Sequence, residues 1–127
     1  MNKYLLLGFG QSNQAVKRFF DQVKIPYLIY DDYNLSYKGN IDFNSFQVII
    51  KSPGIKNDHW ILDIARKLKK EIISDLELFY RFNRKRKIIT VTGTNGKTTT
   101  VSILKEILPN YDLTGNCGYP LLDFTSN

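Results

Sequence analysis

The sequence predicts an α/β chain in two parts: a Rossmann-like parallel-sheet domain over residues 1–84 and the truncated beginning of a second domain over 85–127. Three observations carry this prediction. Short apolar, β-rich runs alternate with segments whose apolar residues recur at helical spacing, which is the pattern of βαβ units. A Gly-x-Gly turn, Gly8-Phe9-Gly10, follows the first run. A second strand–loop–helix unit surrounds Gly93-Thr-Asn-Gly-Lys-Thr98.

Residues 3 to 9 are nearly all apolar, as befits a strand covered on both faces. A helix should follow, with Val16, Phe20 and Val23 facing inward beside Ala15 and Phe19, and Ser12 as its N-cap. Ile25 to Tyr30 reads as the second strand, ending at Asp31-Asp32. A βαβ unit with Gly-x-Gly and an acid about twenty residues on is a feature of dinucleotide-binding folds. Asn13 occupies the place of the fingerprint's third glycine, which weakens the case for NAD or FAD. The turn still suits a pyrophosphate.

Tyr33 to Phe46 is polar and reads as a loop, and Gln47 to Ile50 as the third strand. Ser52-Pro53-Gly54 leaves its carboxyl end, where open parallel sheets bind ligands, so Ser52 and Gly54 are expected near Gly8 and Gly10. A plain turn explains the same residues. A helix from about Asp58 should bury Ile61, Ala65 and Leu68, helped by Leu62 and Ile64. His59 and Trp60 fall at its start as packing and surface, and a lone histidine without partners at ligand spacing is no metal site. Glu71-Ile-Ile73 makes a fourth strand. Ser74-Asp-Leu-Glu77 then forms a capping box opening a helix with Leu76, Phe79 and Phe82 on one face.

Ile88, Ile89 and Val91 predict a buried strand, and Val101, Leu104 and Leu108, with Ile103 and Ile107, a helix ending at Pro109. Strand, glycine loop, Lys-Thr and helix describe a P-loop, so the second part reads as the start of an ATP-binding domain. Glycines let backbone amides close around phosphate oxygens at the helix N-terminus. Lys97 can reach the β- and γ-phosphates and the Thr98 hydroxyl can ligate Mg²⁺. The strict pattern wants a glycine where Val91 stands, so this loop is the compact form.

The 127 residues carry a net charge of +6, 43% hydrophobic residues and a single cysteine, Cys117. One cysteine excludes an internal disulfide framework and fits a reducing compartment. No run approaches the roughly 18 apolar residues of a membrane span. Met1-Asn2-Lys3-Tyr4 runs straight into a strand without a signal peptide, so a cytoplasmic protein without membrane association is expected. Arg81 to Lys87 concentrates positive charge. Nucleic-acid binding would want stacking aromatics interleaved on one surface, whereas a solvated connection or a basic rim for nucleotides needs only the charge. No nucleic-acid partner is expected.

The loop Thr92 to Thr98 resembles the ATP loop of the Mur ligases and their folylpolyglutamate synthetase relatives. With Gly8-Phe-Gly10, Ser52-Pro-Gly-Ile55, Ser74-Asp-Leu-Glu-Leu-Phe79 and Gly115-Asn-Cys-Gly118, it makes essentially the whole chain similar to the beginning of a Mur ligase of the D-glutamate-adding branch. The resemblance implies that the first domain holds the UDP end of UDP-N-acetylmuramoyl-L-alanine and the second holds ATP and Mg²⁺. Gly10 and Ser12 would line the diphosphate turn, Asp31 would meet uracil, and Ser52 and Asn116 would lie near diphosphate and sugar. Gly8, Gln11, Asp32, Pro53 and Gly54 complete the expected substrate contacts. Gly93, Thr94, Asn95, Gly96, Lys97, Thr98 and Thr99 would form the ATP loop, with Lys97 catalytic and Thr98 the metal ligand.

The family's reaction phosphorylates the substrate carboxylate, and the amine of D-glutamate attacks the acyl phosphate. Asn13 and Tyr33 depart from the commonest choices near the uridine. Family members place a Mg²⁺-binding glutamate, a modified lysine and a D-glutamate-binding domain beyond the position of Asn127, so this chain alone, a monomer, is expected to be inactive. Another Mur-type ligase, a folylpolyglutamate synthetase-like enzyme, or a non-catalytic nucleotide-sensing module are the alternatives.

Overall fold

The computed structural model describes residues 3–115 and 120–124. Four parallel strands form one sheet: β1 (Tyr4–Leu7), β2 (Tyr27–Tyr30), β3 (Val48–Lys51) and β4 (Glu71–Ile73). Their order is β2-β1-β3-β4, with Leu5 beside Leu28 on one side and Ile49 on the other. Between them run α1 (Gln11–Val23) and α2 (Trp60–Lys67), and α3 (Asp75–Phe82) follows β4.

The three consecutive leucines of β1 are buried because both faces of the sheet are covered. Leu6, Val48, Ile50 and Ile73 pack with Ala15, Val16, Phe19 and Phe20 of α1 and Leu78 and Phe79 of α3. Leu5, Leu7 and Ile49 pack on the opposite face with Ile61, Leu62 and Ala65 of α2. The strand period of two sorts alternate residues into two cores, and the helices form the outer layers.

Several sequence expectations are corrected here. Ser12 does not cap α1; Gly10 is the N-cap, in extended conformation, and no side chain caps the helix there. Val23, the last residue of α1, and Leu68, the C-cap of α2, are 44% and 54% exposed, since each stands where its helix ends. The buried pair of α3 is Leu78 and Phe79, while Leu76 and Phe82 flank it at 40% and 46% exposure. Half of the capping box forms: Ser74 Oγ accepts from the Glu77 amide at 3.2 Å, but the Glu77 carboxylate accepts from Arg81 Nε at 2.9 Å. The polar loop 33–46 carries an anchor, since Phe46 is 1% exposed and Phe43 and Ile41 pack around the second core.

The largest departure concerns residues 88–91. They form no strand; Ile88 and Ile89 are 39% and 51% exposed. A strand exists only against a partner's hydrogen bonds, and no described strand lies beside this segment. The helix after it, α4 (Lys97–Ile107), does form, yet none of its residues is buried. Its apolar side and residues 88–92 instead border an open cavity of about 480 Å³, whose lining also includes Leu108, Tyr111 and Leu113.

A short 3₁₀ turn, Leu121–Phe124, docks on the first unit. Leu122 is 2% exposed in the core between α1 and α3, and Arg18 makes a bidentate contact with Asp123 at 2.9 to 3.1 Å. Residues of the 85–127 segment thus complete the core of the first. Asn116, Cys117 and Gly118 of the expected Gly-Asn-x-Gly turn lie outside the described residues, as do Thr125 to Asn127.

Candidate functional site

The order β2-β1-β3-β4 has its switch point between β1 and β3, where successive connections leave in opposite directions. Ligands of such sheets sit outside the carboxyl ends of the strands at that point. Here the two flanking loops are Gly8-Phe9-Gly10 and Ser52-Pro53-Gly54. Gly8 has φ +84°, and a Cβ there would fall 2.9 Å from Ser52 Cβ and 3.0 Å from Ile55 Cγ1. Both the backbone conformation and the close approach require glycine. Gly10 is exposed, with Ser52 Oγ 3.4 Å from where its Cβ would be. Ser52 itself is 8% exposed and its amide donates to Leu7 O at 2.9 Å, tying the two loops together. Gln11, Pro53 and Gly54 are exposed around this turn, and Ser12 is half-buried.

Because α1 has no capping side chain, its first amides are open to solvent or a ligand. An anion placed there meets unpaired N–H groups and the positive end of the helix dipole.

Asn13, which stands at the fingerprint's third glycine, holds the turn. It is fully buried, and Nδ2 donates to Leu7 O at 3.1 Å, Gly8 O at 2.8 Å and Ile50 O at 3.2 Å. One amide therefore ties the ends of β1 and β3 to the glycine turn. A signal was present: Asn13 lies on the buried stripe of α1 with Val16 and Phe20, where an unpaired polar group would be costly.

At the end of β2 the two acids do different work. Asp31 Oδ2 accepts from the Phe9 amide at 2.7 Å, and its Oδ1 from the amides of Tyr33 and Asn34 at 2.8 and 3.0 Å. Asp31 thereby fastens the glycine turn to the loop after β2. Asp32 meets His59 Nε2 at 2.8 Å and the Tyr30 hydroxyl at 3.2 Å. The His59 hydrogen bond, above all, holds the Asp32 carboxyl below its ordinary range, against the opposing effect of desolvation. Burial and the Asp32 carboxylate push the Tyr30 hydroxyl up.

The second candidate site is the loop before α4. Gly93 and Gly96 have φ +143° and +76°, conformations that favour glycine, and Gly96 is the N-cap of α4 without a side-chain cap. Thr94, Asn95, Lys97, Thr98 and Thr99 are exposed around it. Lys97 opens the helix and forms no ion pair among the described residues. These features fit a nucleoside triphosphate: a glycine-entered helix N-terminus, a lysine at its first position and a hydroxyl on the next residue. Among the described residues no group of three or more His, Cys, Asp or Glu could hold a metal. A Mg²⁺ here would draw its ligands from Thr98, phosphates and water. No described helix is long and apolar enough to cross a membrane.

The fold and its switch-point turn define a doubly wound parallel α/β unit, followed by a glycine loop and helix. Across nearly its whole length the chain is homologous to proteins named UDP-N-acetylmuramoylalanine–D-glutamate ligase. That of Thermoanaerobacter pseudethanolicus is 33% identical over 94% of this chain and 31% of its own. The Wolbachia sp. subsp. Brugia malayi protein is 38% identical over 94% of this chain and 26% of its own. The one from Francisella tularensis subsp. tularensis is 33% identical over 97% of this chain and 31% of its own. The chain thus spans between about a quarter and a third of the length of these curated relatives. No family model matches it.

Proposed function

We propose that the chain is the nucleotide-handling portion of a cytoplasmic, ATP-dependent amide ligase of peptidoglycan-precursor synthesis. The substrates are UDP-N-acetylmuramoyl-L-alanine and D-glutamate. Its first unit holds the UDP end of the substrate, with the diphosphate on the open N-terminus of α1 at Gly8, Gly10, Gln11 and Ser12, beside Ser52, Pro53 and Gly54. The uridine lies toward Asp31 and Asp32; the sugar contact at Asn116 is assigned by the resemblance alone. Residues Gly93 to Thr99 take ATP, Thr98 would hold Mg²⁺, which would supply further charge neutralisation, and Lys97 offsets charge on the transferring phosphoryl group. The substrate carboxylate takes the γ-phosphoryl group, ADP leaves, and the amine of D-glutamate displaces phosphate with loss of a proton.

The single observation that carries this reading is the uncapped, glycine-entered N-terminus of α1 packed against Ser52 at the switch point. The names of the relatives supply the substrate. Calorimetric titration of the chain with UDP-N-acetylmuramoyl-L-alanine and with NAD tests it. The UDP-sugar is expected to bind, weakly and without ATP. Tighter binding of NAD would favour a dinucleotide-sensing module instead.

A further inference from the structure

Asp31 has three amides on its carboxylate, whereas Asp32 is held by two side chains and keeps spare acceptor capacity. Each carboxylate oxygen can accept two hydrogen bonds. Asp32 Oδ2 takes His59, its Oδ1 takes Tyr30, and its side chain remains 33% exposed against 11% for His59. The other imidazole nitrogen fixes the roles: His59 Nδ1 accepts from the Ile61 amide at 3.2 Å as the N-cap of α2. Nε2 therefore carries the hydrogen and donates it to Asp32. The ring also stacks on Trp60 at 6.0 Å and meets Tyr30 edge-on at 6.2 Å. Fastened at both nitrogens and packed on both rings, it has one orientation.

We propose that His59 is a positioning residue for the nucleoside half of the ligand, an inference resting on the UDP reading above. Through Nε2–H it fixes the Asp32 carboxylate at the carboxyl edge of the sheet, where Asp32 accepts a hydrogen bond from a nucleoside donor. That donor is either a ribose hydroxyl or the imide N–H of the base. The short cap side chain of α2 thereby ties ligand recognition at the end of β2 to the loop that follows β3.

Two conservative variants separate positioning from folding. His59→Asn keeps an N-cap acceptor but is too short to reach Asp32. His59→Gln restores an amide N–H near the place of Nε2 with a poorer cap. The whole chain is titrated calorimetrically with UDP, 2′-deoxy-UDP, N3-methyl-UDP and inorganic pyrophosphate, alongside thermal melts. His59→Asn should weaken UDP binding about tenfold, the scale of one hydrogen bond to a charged group, while pyrophosphate binds as before. His59→Gln should recover most of the loss. Asp32→Asn should reproduce it, and combining Asp32→Asn with His59→Asn should add nothing further. One of the two analogues should show the same tenfold loss in the wild-type chain and identify the donor.

Unchanged UDP affinity in both His59→Asn and Asp32→Asn would overturn the inference and leave the UDP reading standing. So would a parallel fall in pyrophosphate affinity, which marks a general structural defect, or both analogues binding as tightly as UDP. A wild-type chain that binds neither UDP nor pyrophosphate would overturn the UDP reading and this inference together.

Discussion

Asn13 shows how one side chain can replace a fingerprint residue by doing its work differently. A third glycine would allow close helix–strand packing; Asn13 achieves closeness by donating to carbonyls at the ends of both β1 and β3. Restoring the fingerprint with Asn13→Gly should therefore destabilise the fold, by about 2–4 kcal/mol, because buried carbonyls lose a donor and the helix gains a glycine. Urea denaturation measures this, and a variant as stable as the parent would show the amide to be dispensable. Asp32 sets a second test. Its folded carboxyl titrates below the ordinary value of 3.8, so its ionised form contributes stability above that value and loses it as pH falls through the lower folded one. The stability difference between the parent and Asp32→Asn should accordingly be constant near neutral pH and shrink below about pH 4. A difference that persists unchanged at pH 2 would assign the effect to packing rather than to charge.

At the scale of elements, the sheet unit and α4 differ in what holds them. Leu122 fills the core between α1 and α3, whereas Ile107 on α4 is 65% exposed. Leu122→Ala should cost about 2–4 kcal/mol through a buried cavity, and Ile107→Ala about 0.5 kcal/mol or less. Thermal melts compare the two, and equal costs would mean that α4 is packed as firmly as the sheet. The same contrast explains what could be read from the sequence. The runs at 4–7, 27–30, 48–51 and 71–73 find their partners within the first unit, so apolar pattern and strand coincide. Ile88 to Val91 has an equally good pattern but no described strand beside it, and pairing is not a local property. The docking of Leu121–Phe124 has no periodic signal, since four residues are too few to show one. Glycine spacing marked the turns at Gly8, Gly93 and Gly96, where φ is positive and favours glycine. The His59–Asp32 contact escaped because its members are 27 residues apart and only the fold brings them together.

For the molecule as a whole, the central claim is that the switch point between β1 and β3 is a UDP site. The sheet brings three separate sequence stretches to one edge: Gly8 to Ser12, Asp31-Asp32, and Ser52 to Gly54. The net charge of +6 favours an anionic ligand without selecting one, whereas the geometry selects the place. Chemical-shift mapping of the isotopically labelled chain during titration with UDP-N-acetylmuramoyl-L-alanine tests this most directly. The amides of Gly8, Gly10, Gln11, Asp32 and Ser52 should shift together along one saturable curve, with α3 and the amino ends of the strands unmoved. Saturable shifts confined to Gly93–Thr99, or no saturable shift at Gly10 and Ser52, would contradict the assignment.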